Sequence, residues 1–293
     1  MMTSLLLVTD FSAAADHAVQ RAVLLARRHG AALALAHLAG SGPPDAAERL
    51  PRCAAMLARR HRLPVRALGT LDEAGLREAA TALPAVLVLG WPAPEIPGLG
   101  GLRRSLARRL LAPQCRPLLV VRGPAVQAYA RPLVALGTAP VCAEDMLQAA
   151  AAFAPDAVIE LFHAVDTRTE MRLTVAQASV RSLGAYQQAL DRQAHQHLRR
   201  ASSVLDARRN RLLYTLGRGD PAQQILVQQE HGRADLVVVG QAQRPRWLSW
   251  LTGSTAASLL PRVGCDLLIW PEPAVGANCQ NAADAGPHAR APR

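Results

Sequence analysis

The amino-acid sequence predicts an α/β protein made of two similar halves, each with a five-stranded parallel sheet covered by helices on both faces. Two observations lead to this prediction. Short apolar runs alternate with amphipathic segments of helical length, which is typical of βαβ units. The same order of runs then occurs a second time within the 293 residues. A chain of this length is long enough for two domains, each with its own core.

The first half opens on an apolar run at residues 5–8, which we interpret as a buried strand running into Asp10. An Ala-rich amphipathic helix is predicted over residues 13–29, where Gly30 ends it. A second strand follows and ends near His37. We interpret two more apolar runs of this half as strands. They lie at residues 86–89, before Gly90, and at residues 118–120, after Cys115.

The second half repeats this order. Strands are predicted at residues 132–138, 158–165, 237–239 and 267–269, with a helix near 142–153. The offset between corresponding strands grows along the chain, so the second half contains an insertion of roughly twenty residues, which we place at about 168–209. The predicted boundaries are residues 1–122 for the first domain, 123–131 for a linker and 132–273 for the second domain. Residues 274–293 lack periodicity and are predicted to be disordered.

The basic composition has two interpretations. The formal net charge is +11, and all 33 basic residues are Arg. Because the chain is also rich in Ala, this composition fits the bias of a GC-rich genome. The arginines are dispersed as pairs on predicted helix surfaces, which favours solvated helix faces over a nucleic-acid surface. A polyanion-binding surface on the inserted helices remains the alternative.

The cysteines indicate a reduced, cytoplasmic protein. They are scattered, odd in number and form neither a CxxC pair nor a metal-ligand spacing: Cys53, Cys115, Cys142, Cys265 and Cys279. We expect no signal peptide, since Asp10 interrupts the first apolar run too early. No later segment is apolar enough to cross a membrane.

One region of the second half predicts a phosphate site. The apolar run at residues 236–239 ends on Gly240, and a long loop then leads to Gly253-Ser254-Thr255 at a predicted helix start. Glycine permits close approach of the backbone to a ligand, and a helix N-terminus offers free N–H donors to an anion. Each residue also has a purely structural interpretation. Gly240 can simply end a strand, and Ser254 or Thr255 can cap a helix.

These features together resemble the universal stress protein family, in a tandem form with two domains on one chain. The resemblance rests on the strand followed by Asp10-Phe11-Ser12, the strand ending at His37, the segment Gly219-Asp220-Pro221 before a helix, and the strand ending on Gly240 before Gly253-Ser254. It implies two doubly wound domains, each with strand order 3-2-1-4-5. It also implies a pseudo-dimer within the chain, with the last strand of each sheet in contact; a homodimer is left open.

The resemblance also implies where a nucleotide would bind. The family's glycine motif after the fourth strand falls on Gly240, Gln243, Gly253 and Ser254, so Gln243 replaces its second glycine. The family's acidic residue after the first strand falls on Leu136 in this half. In the first half Asp10 matches the acidic position. The phosphate positions of that half fall on residues of other types: Ala93, Arg103 and Arg104.

We therefore expect a stress-response protein that binds ATP or another adenine nucleotide, mainly in the second half, and acts by regulation rather than as an enzyme. The expected ligand-binding residues are Gly240, Gln243, Gly253, Ser254, Thr255 and Asp10. An interaction scaffold that binds no nucleotide is the main alternative, and slow ATP hydrolysis ranks last because no catalytic motif is evident. No metal is expected, and the sequence names no protein partner.

Overall fold

In the computed structural model, the described residues are 3–83, 85–91, 116–137, 142–165, 211–242 and 255–272, together with helical residues 188, 189, 192, 196 and 199. The described part of the first half contains five strands and three helices. They are β1 (Ser4–Thr9), α1 (Ala13–His29), β2 (Ala32–Leu38), α2 (Ala46–His61), β3 (Val65–Leu71), α3 (Glu73–Ala82), β4 (Ala85–Gly90) and β5 (Leu118–Val121).

The described part of the second half also has five strands and three helices. They are β6 (Pro132–Leu136), α4 (Ala143–Phe153), β7 (Val158–Val165), β8 (Arg211–Arg218), α5 (Pro221–Gly232), β9 (Leu236–Ala242), α6 (Thr255–Leu259) and β10 (Asp266–Glu272). The connection between β7 and β8 covers residues 166–210, whereas that between β2 and β3 covers only 39–64. The insertion therefore falls where the sequence predicts it.

The two halves have the predicted strand order. β3, β2, β1, β4 and β5 are neighbours in that order, and β8, β7, β6, β9 and β10 repeat it. All pairs within a half are parallel. This order puts a topological switch point between β1 and β4 in the first half and between β6 and β9 in the second. Open α/β sheets bind ligands at such points.

A single antiparallel pair joins the halves. β5 lies beside β10, with Leu119 opposite Leu268, so the two five-stranded sheets form one continuous sheet of ten strands. The expected contact between the last strands is confirmed. Because this pair is antiparallel, the carboxyl ends of the strands in one half lie at the opposite edge of the sheet from those in the other half.

The strands are buried on both faces, as parallel sheets require. In β1, Leu5 and Leu7 belong to one apolar cluster, while Leu6 and Val8 belong to the cluster on the other face. The first cluster lies under α1, α2 and α4 and includes core residues of both halves. The halves therefore share their apolar layers across the β5–β10 junction.

Local signals fix the helix ends. Ser12 caps α1 by accepting a hydrogen bond from the N–H of Ala15, and Gly30 ends the same helix at a φ of 63°. A left-handed residue of this kind is a common helix stop, and glycine adopts it without a Cβ penalty. Asp220 caps α5 through the N–H of Gln223, with Pro221 at the first helical position. Among the helices of the described residues, none is both long and apolar enough to span a bilayer.

Candidate functional site

The carboxylate of Asp10 lies at the end of β1 and is used locally. Its Oδ1 accepts a hydrogen bond from the hydroxyl of Ser12 at 2.6 Å and another from the Ser12 N–H at 3.1 Å. Ser12 in turn accepts from Ala15 N–H at 3.3 Å, at the start of α1. Asp10 therefore organises the turn from strand to helix, which is the structural interpretation of this residue.

Two glycines allow close backbone packing near the end of β1. A Cβ on Gly42, in the loop after β2, would lie 2.6 Å from the carbonyl oxygen of Asp10, and Gly42 has a φ of 74°. A Cβ on Gly90, at the end of β4, would overlap the carbonyl of Ala14 in α1. Both glycines are thus required for close approach of backbone to backbone. The loop after β2 therefore packs against the end of β1, and the end of β4 packs against the start of α1.

His37 also has a structural role in this half. Its Nε2 lies 2.7 Å from the carbonyl oxygen of Ser41 and therefore donates to it, and its Nδ1 lies 3.4 Å from the hydroxyl of Thr70. The ring stacks on Phe11 with centroids 6.0 Å apart, and Phe11 has a φ of 58°, which is rare for a bulky residue. Together these contacts hold the loop after β2 over the end of β1.

The second half has a different switch point. Ala135 of β6 lies opposite Val239 of β9, so Leu136 and Gly240 are neighbours at the carboxyl edge. Leu136 is only 7% exposed and belongs to the apolar core. Its carbonyl accepts a hydrogen bond from Nδ1 of buried His163 at 2.9 Å. The strand registers make Leu136 the counterpart of Thr9, since these residues pair with His163 and His37. The counterpart of Asp10 is therefore Gly137, and not Leu136 as predicted from the sequence, and it offers no side-chain acceptor.

Gly137, directly after Leu136, is exposed. Among the described residues, a Cβ on Gly137 would meet no atom within 4 Å. Gly240 pairs with Trp270 of β10, and α6 begins at Thr255, which is partly exposed. Three of the predicted binding residues lie outside the described residues, namely Gln243, Gly253 and Ser254. The arginines and tryptophans of the same loop also lie outside them: Arg244, Arg246, Trp247 and Trp250.

The structure separates Asp10 from the residues of the second half. β1 and β9 have β4, β5 and β10 between them, which places their axes about 19 Å apart at the usual strand spacing. Since the two halves also end at opposite edges of the sheet, Asp10 and Gly240 cannot contact the same small ligand. Any site uses one half or the other.

A buried polar cluster at the junction was not predicted from the sequence. We call Arg21, Arg122, Tyr129 and Asp266 the interdomain cluster. Arg21 Nε lies 3.0 Å from Asp266 Oδ2, and both side chains are almost fully buried. The Tyr129 hydroxyl donates to the same oxygen at 2.6 Å. The Arg21 guanidinium also lies 4.0 Å from the centre of the Tyr129 ring, a cation–π contact.

Arg122, the fourth member of the cluster, contacts both halves. The N–H of Arg122 donates to Asp266 Oδ1 at 2.8 Å, and its guanidinium donates to the carbonyl of Leu260, just after α6. The same guanidinium lies 4.9 Å from the ring centre of Trp91, just after β4. Arg122 thus connects the end of β4 in the first half to the helix end that follows the predicted phosphate loop in the second.

Burial explains the electrostatics of this cluster. It raises the pKa of the Tyr129 phenol well above its usual value, and the neighbouring Asp266 carboxylate raises it further. Burial likewise lowers the pKa of Arg122 to about 10, so the side chain stays cationic near neutral pH. The pKa of the Cys265 thiol is raised to about 12, chiefly by burial, which leaves it protonated and unreactive.

A sequence signal for the cluster does exist. Arg21 occupies a position on the buried face of α1 between Ala18 and Ala22, and Asp266 begins an apolar strand. A charge inside an apolar pattern indicates a paired partner elsewhere. The pattern does not say which residue is that partner. No group of three or more metal-ligating side chains occurs within the described ranges.

Comparisons with known proteins agree with this architecture. The model of the universal stress protein family matches residues 1–99 and 129–271. No curated protein matched the chain. Among solved structures, a universal stress protein from Archaeoglobus fulgidus superposes with a TM-score of 0.64 at 15% identity, covering 92% of this chain and 98% of that one. A putative universal stress protein from Pseudomonas aeruginosa superposes with a TM-score of 0.61 at 16% identity, covering 92% and 93%.

The solved structures show a common fold, and the family match covers most of the chain in two segments. Those segments correspond to the two halves of the sheet. The chain belongs to the universal stress protein family.

Proposed function

We propose that the chain is a stress-response regulator that binds an adenine nucleotide at the switch point of its second half, and that it acts by binding rather than by turnover. The observation that carries this proposal is the position of Gly240 beside Leu136 at the carboxyl ends of β9 and β6. The loop that follows β9 leads to Thr255, the first residue of α6. Loops after such neighbouring strands flank the ligand crevice of open α/β sheets.

The chemistry of this loop suits a phosphate. Gly253, Ser254 and Thr255 are consecutive, so they supply a flexible backbone, two hydroxyls and the first N–H groups before α6. Backbone N–H groups and hydroxyls are the usual donors to phosphate oxygens. Arg244 and Arg246 belong to the same loop in sequence and add positive charge. We expect the base and ribose of the nucleotide to lie beside Gly137.

The first half supports the assignment by contrast. Its Asp10 Oδ1 accepts two hydrogen bonds from Ser12, and a nucleoside hydroxyl at that oxygen would compete with the cap of α1. The phosphate positions of the first half fall on residues other than glycine and serine: Ala93, Arg103 and Arg104. We therefore propose one nucleotide per chain.

The experiment compares two glycine variants by isothermal titration with ATP, ADP and AMP. Gly137→Val places a side chain into the open space at the switch point. Gly123→Val places the same side chain in the linker, where a Cβ also meets no atom within 4 Å. We expect binding to be lost in the first variant and kept in the second. Gly253→Val should also abolish binding, because its side chain would lie where the phosphate is expected.

Mass spectrometry of small molecules released from the purified protein supplies the first readout. A stoichiometric adenine nucleotide in wild type, absent from Gly137→Val, supports the proposal. Equal binding by wild type, Gly137→Val and Gly253→Val would contradict the site assignment.

A second candidate is an interaction scaffold without nucleotide, and the glycine at position 137, where the first half has Asp10, favours it. Neither half combines the acid with the glycine motif, because the phosphate positions of the first half fall on Ala93, Arg103 and Arg104. A nucleotide-free protein that gives no thermal shift with added nucleotide would favour the scaffold. The family fold then serves to present helix surfaces to a partner.

A further inference from the structure

An open groove lies between α1 and α2 on one face of the first half. Its volume is about 780 Å³, and Ala125 of the linker also contributes to its wall. Volumes of 300–1,000 Å³ are typical of sites for small organic ligands. The groove is separate from both switch points, since it is formed by the sides of the helices and not by strand ends.

The floor of the groove is apolar. α1 contributes Val19, Val23 and Leu24, and α2 contributes Met56 and Leu57. Val23 and Leu57 are buried, but the Met56 side chain is 47% exposed. Methionine is flexible and polarisable, and it is frequent at surfaces that adapt to apolar ligands. The floor is suited to an alkyl chain.

One end of the groove is strongly basic. Arg27, Arg28 and Arg60 line it, in the last turns of the two helices. Burial, followed by the charges of Arg60 and Arg27, lowers the pKa of the neighbouring His61. The three arginines line the same groove and therefore form one positive region.

Existing partners do not neutralise this region. Arg28 pairs with exposed Asp156 of the second half at 3.1 Å. In the described part of the chain, no ion pair includes Arg27 or Arg60. The two helix C-termini contribute roughly half a negative charge each, which offsets only part of three guanidinium charges. These exposed guanidinium groups are therefore available to an anion that enters the groove.

The charge is distributed along the groove in one direction. Asp16 also lines it, but it precedes Arg27 by three turns of α1, about 16 Å along the helix axis. An acidic helix from a partner would need cations along its whole length, and a nucleic acid would gain nothing from the apolar floor. A ligand with one anionic end and an apolar body matches the observed distribution.

We propose that the groove between α1 and α2 binds a soluble, single-chain anionic amphiphile. Its carboxylate or phosphate head lies between Arg27 and Arg60, and its alkyl chain lies along Val23, Leu24 and Met56. The guanidinium groups donate charge-assisted hydrogen bonds to the head, and covering the floor removes apolar surface from water. This site is independent of the proposed nucleotide site.

The test titrates the full chain with sodium decanoate below its micelle concentration and follows the heat of binding. Two control ligands each remove one half of the chemistry: acetate lacks the alkyl chain, and decyl maltoside lacks the charge. We expect one site for decanoate and at least about tenfold weaker binding of either control, because each lost contribution is worth a factor of ten or more. Decanoate binding no tighter than that of acetate would overturn the proposal.

Two neighbouring arginines give a matched pair of variants. Arg60→Gln removes one head contact and should weaken decanoate binding by about tenfold. Arg59→Gln removes the adjacent exposed arginine of α2, which does not line the groove, and should leave binding unchanged. Met56→Asp should also weaken decanoate binding, because it places a negative charge on the apolar floor of the groove. Thermal unfolding checks that each variant is folded.

Equal effects of Arg59→Gln and Arg60→Gln would overturn the site, since they would indicate nonspecific charge. Co-sedimentation with phosphatidylglycerol vesicles distinguishes a membrane surface from a soluble ligand. Vesicle binding that requires Arg60, in a protein that does not bind decanoate, would also overturn the proposal. Nucleotide binding should be the same in Arg60→Gln as in wild type, which keeps the two proposed sites distinguishable.

Discussion

The ends of β1 and β6 occupy equivalent places in the two halves, yet they differ in almost every contact. After β1, Asp10 carries a carboxylate whose Oδ1 accepts two hydrogen bonds from Ser12. After β6, the counterpart is Gly137, which has no side chain, and a Cβ there would meet no atom of the described residues within 4 Å. One half has an acid at this position, and the other has a glycine.

An acidic residue at the family's position, such as Asp10, does not by itself establish a nucleotide site. A carboxylate at a strand end binds a ligand only when its oxygens and the space before them are available. In the first half the same atoms stabilise the start of α1.

The halves also differ at the junction. Asp266 precedes the core of β10 and accepts hydrogen bonds from Arg21, Arg122 and Tyr129. In the strand register, Leu118 opposite Leu87 corresponds to Leu267 opposite Val237, so the counterpart of Asp266 is Pro117. Proline has no acceptor side chain. The interdomain cluster therefore exists once, and the two halves are not interchangeable.

The largest expected effect tests this asymmetry. Asp266→Ala should lower the free energy of unfolding by about 3–5 kcal/mol, because it leaves the buried charge of Arg21 without a partner. Urea unfolding followed by circular dichroism measures the change. The double variant Arg21→Met with Asp266→Leu should recover most of the loss, since it removes both charges. As the matched surface control, Asp156→Ala should cost less than about 1 kcal/mol, because its pair with Arg28 is exposed. Equal losses for the two carboxylates would show that the cluster is unimportant.

The glycines give the next effect. Gly90→Val should destabilise the protein by about 3 kcal/mol, since its side chain would overlap the backbone of Ala14. Gly137→Val should change stability by less than about 0.5 kcal/mol, because its side chain enters open space. Thermal unfolding compares the two variants directly. A large loss in Gly137→Val would mean that Gly137 is as closely packed as Gly90.

Tyr129 adds a pH dependence. Its folded pKa is raised, so its contribution to stability is complete below the ordinary tyrosine pKa of about 10 and is lost as the pH rises through the folded pKa. Arg122, whose pKa is lowered to about 10, contributes in the opposite direction in both proteins, so the prediction concerns the difference between them. Above about pH 10, the free energy of unfolding of wild type should fall relative to that of Tyr129→Phe. At neutral pH, the free energy of unfolding of Tyr129→Phe should be about 1.5 kcal/mol lower than that of wild type, because the variant lacks the hydrogen bond to Asp266. Cys265, with a pKa raised to about 12, contributes in the same direction to both proteins. Parallel pH profiles would argue against burial of the phenol.

The smallest effect concerns Asp10. Asp10→Ala should cost about 1 kcal/mol, because it removes the acceptor that orients the Ser12 cap. Nucleotide affinity should not change, since the proposed site is in the other half. Titration with ATP checks this, with Gly137→Val as the sensitive control. A tenfold loss of affinity in Asp10→Ala would reverse the assignment of the two halves.

Much of this architecture follows from local sequence. The apolar runs at residues 5–8 and 236–239 are long enough for strands, too short for helices, and bounded by polar residues or glycine, so β1 and β9 could be predicted. Ser12 and Gly30 mark the two ends of α1 through capping that depends only on near neighbours. The repeat of the whole pattern, with the family resemblance, predicted the strand order.

The candidate site was predictable only in part. The neighbouring positions of Gly240 and Leu136 follow from the order of parallel strands. The backbone packing near Asp10 does not, because it depends on how the loop carrying Gly42 packs against the end of β1 and how the end of β4 packs against α1. Gln243, Gly253 and Ser254 stay predictions, since they lie outside the described residues.

The sequence by itself determined where the buried strands and α1 form, because burial on both faces and helix capping leave a pattern within a few residues. The outer strands β3 and β8 were not located, since they are only partly buried and carry no continuous apolar run. Only the tertiary structure decided that β5 and β10 pair antiparallel into one sheet and that Arg21 meets Asp266. Those two residues are 245 positions apart. A charge on an apolar face indicates that it needs a partner, but the geometry of the assembled sheet selects which residue that partner is.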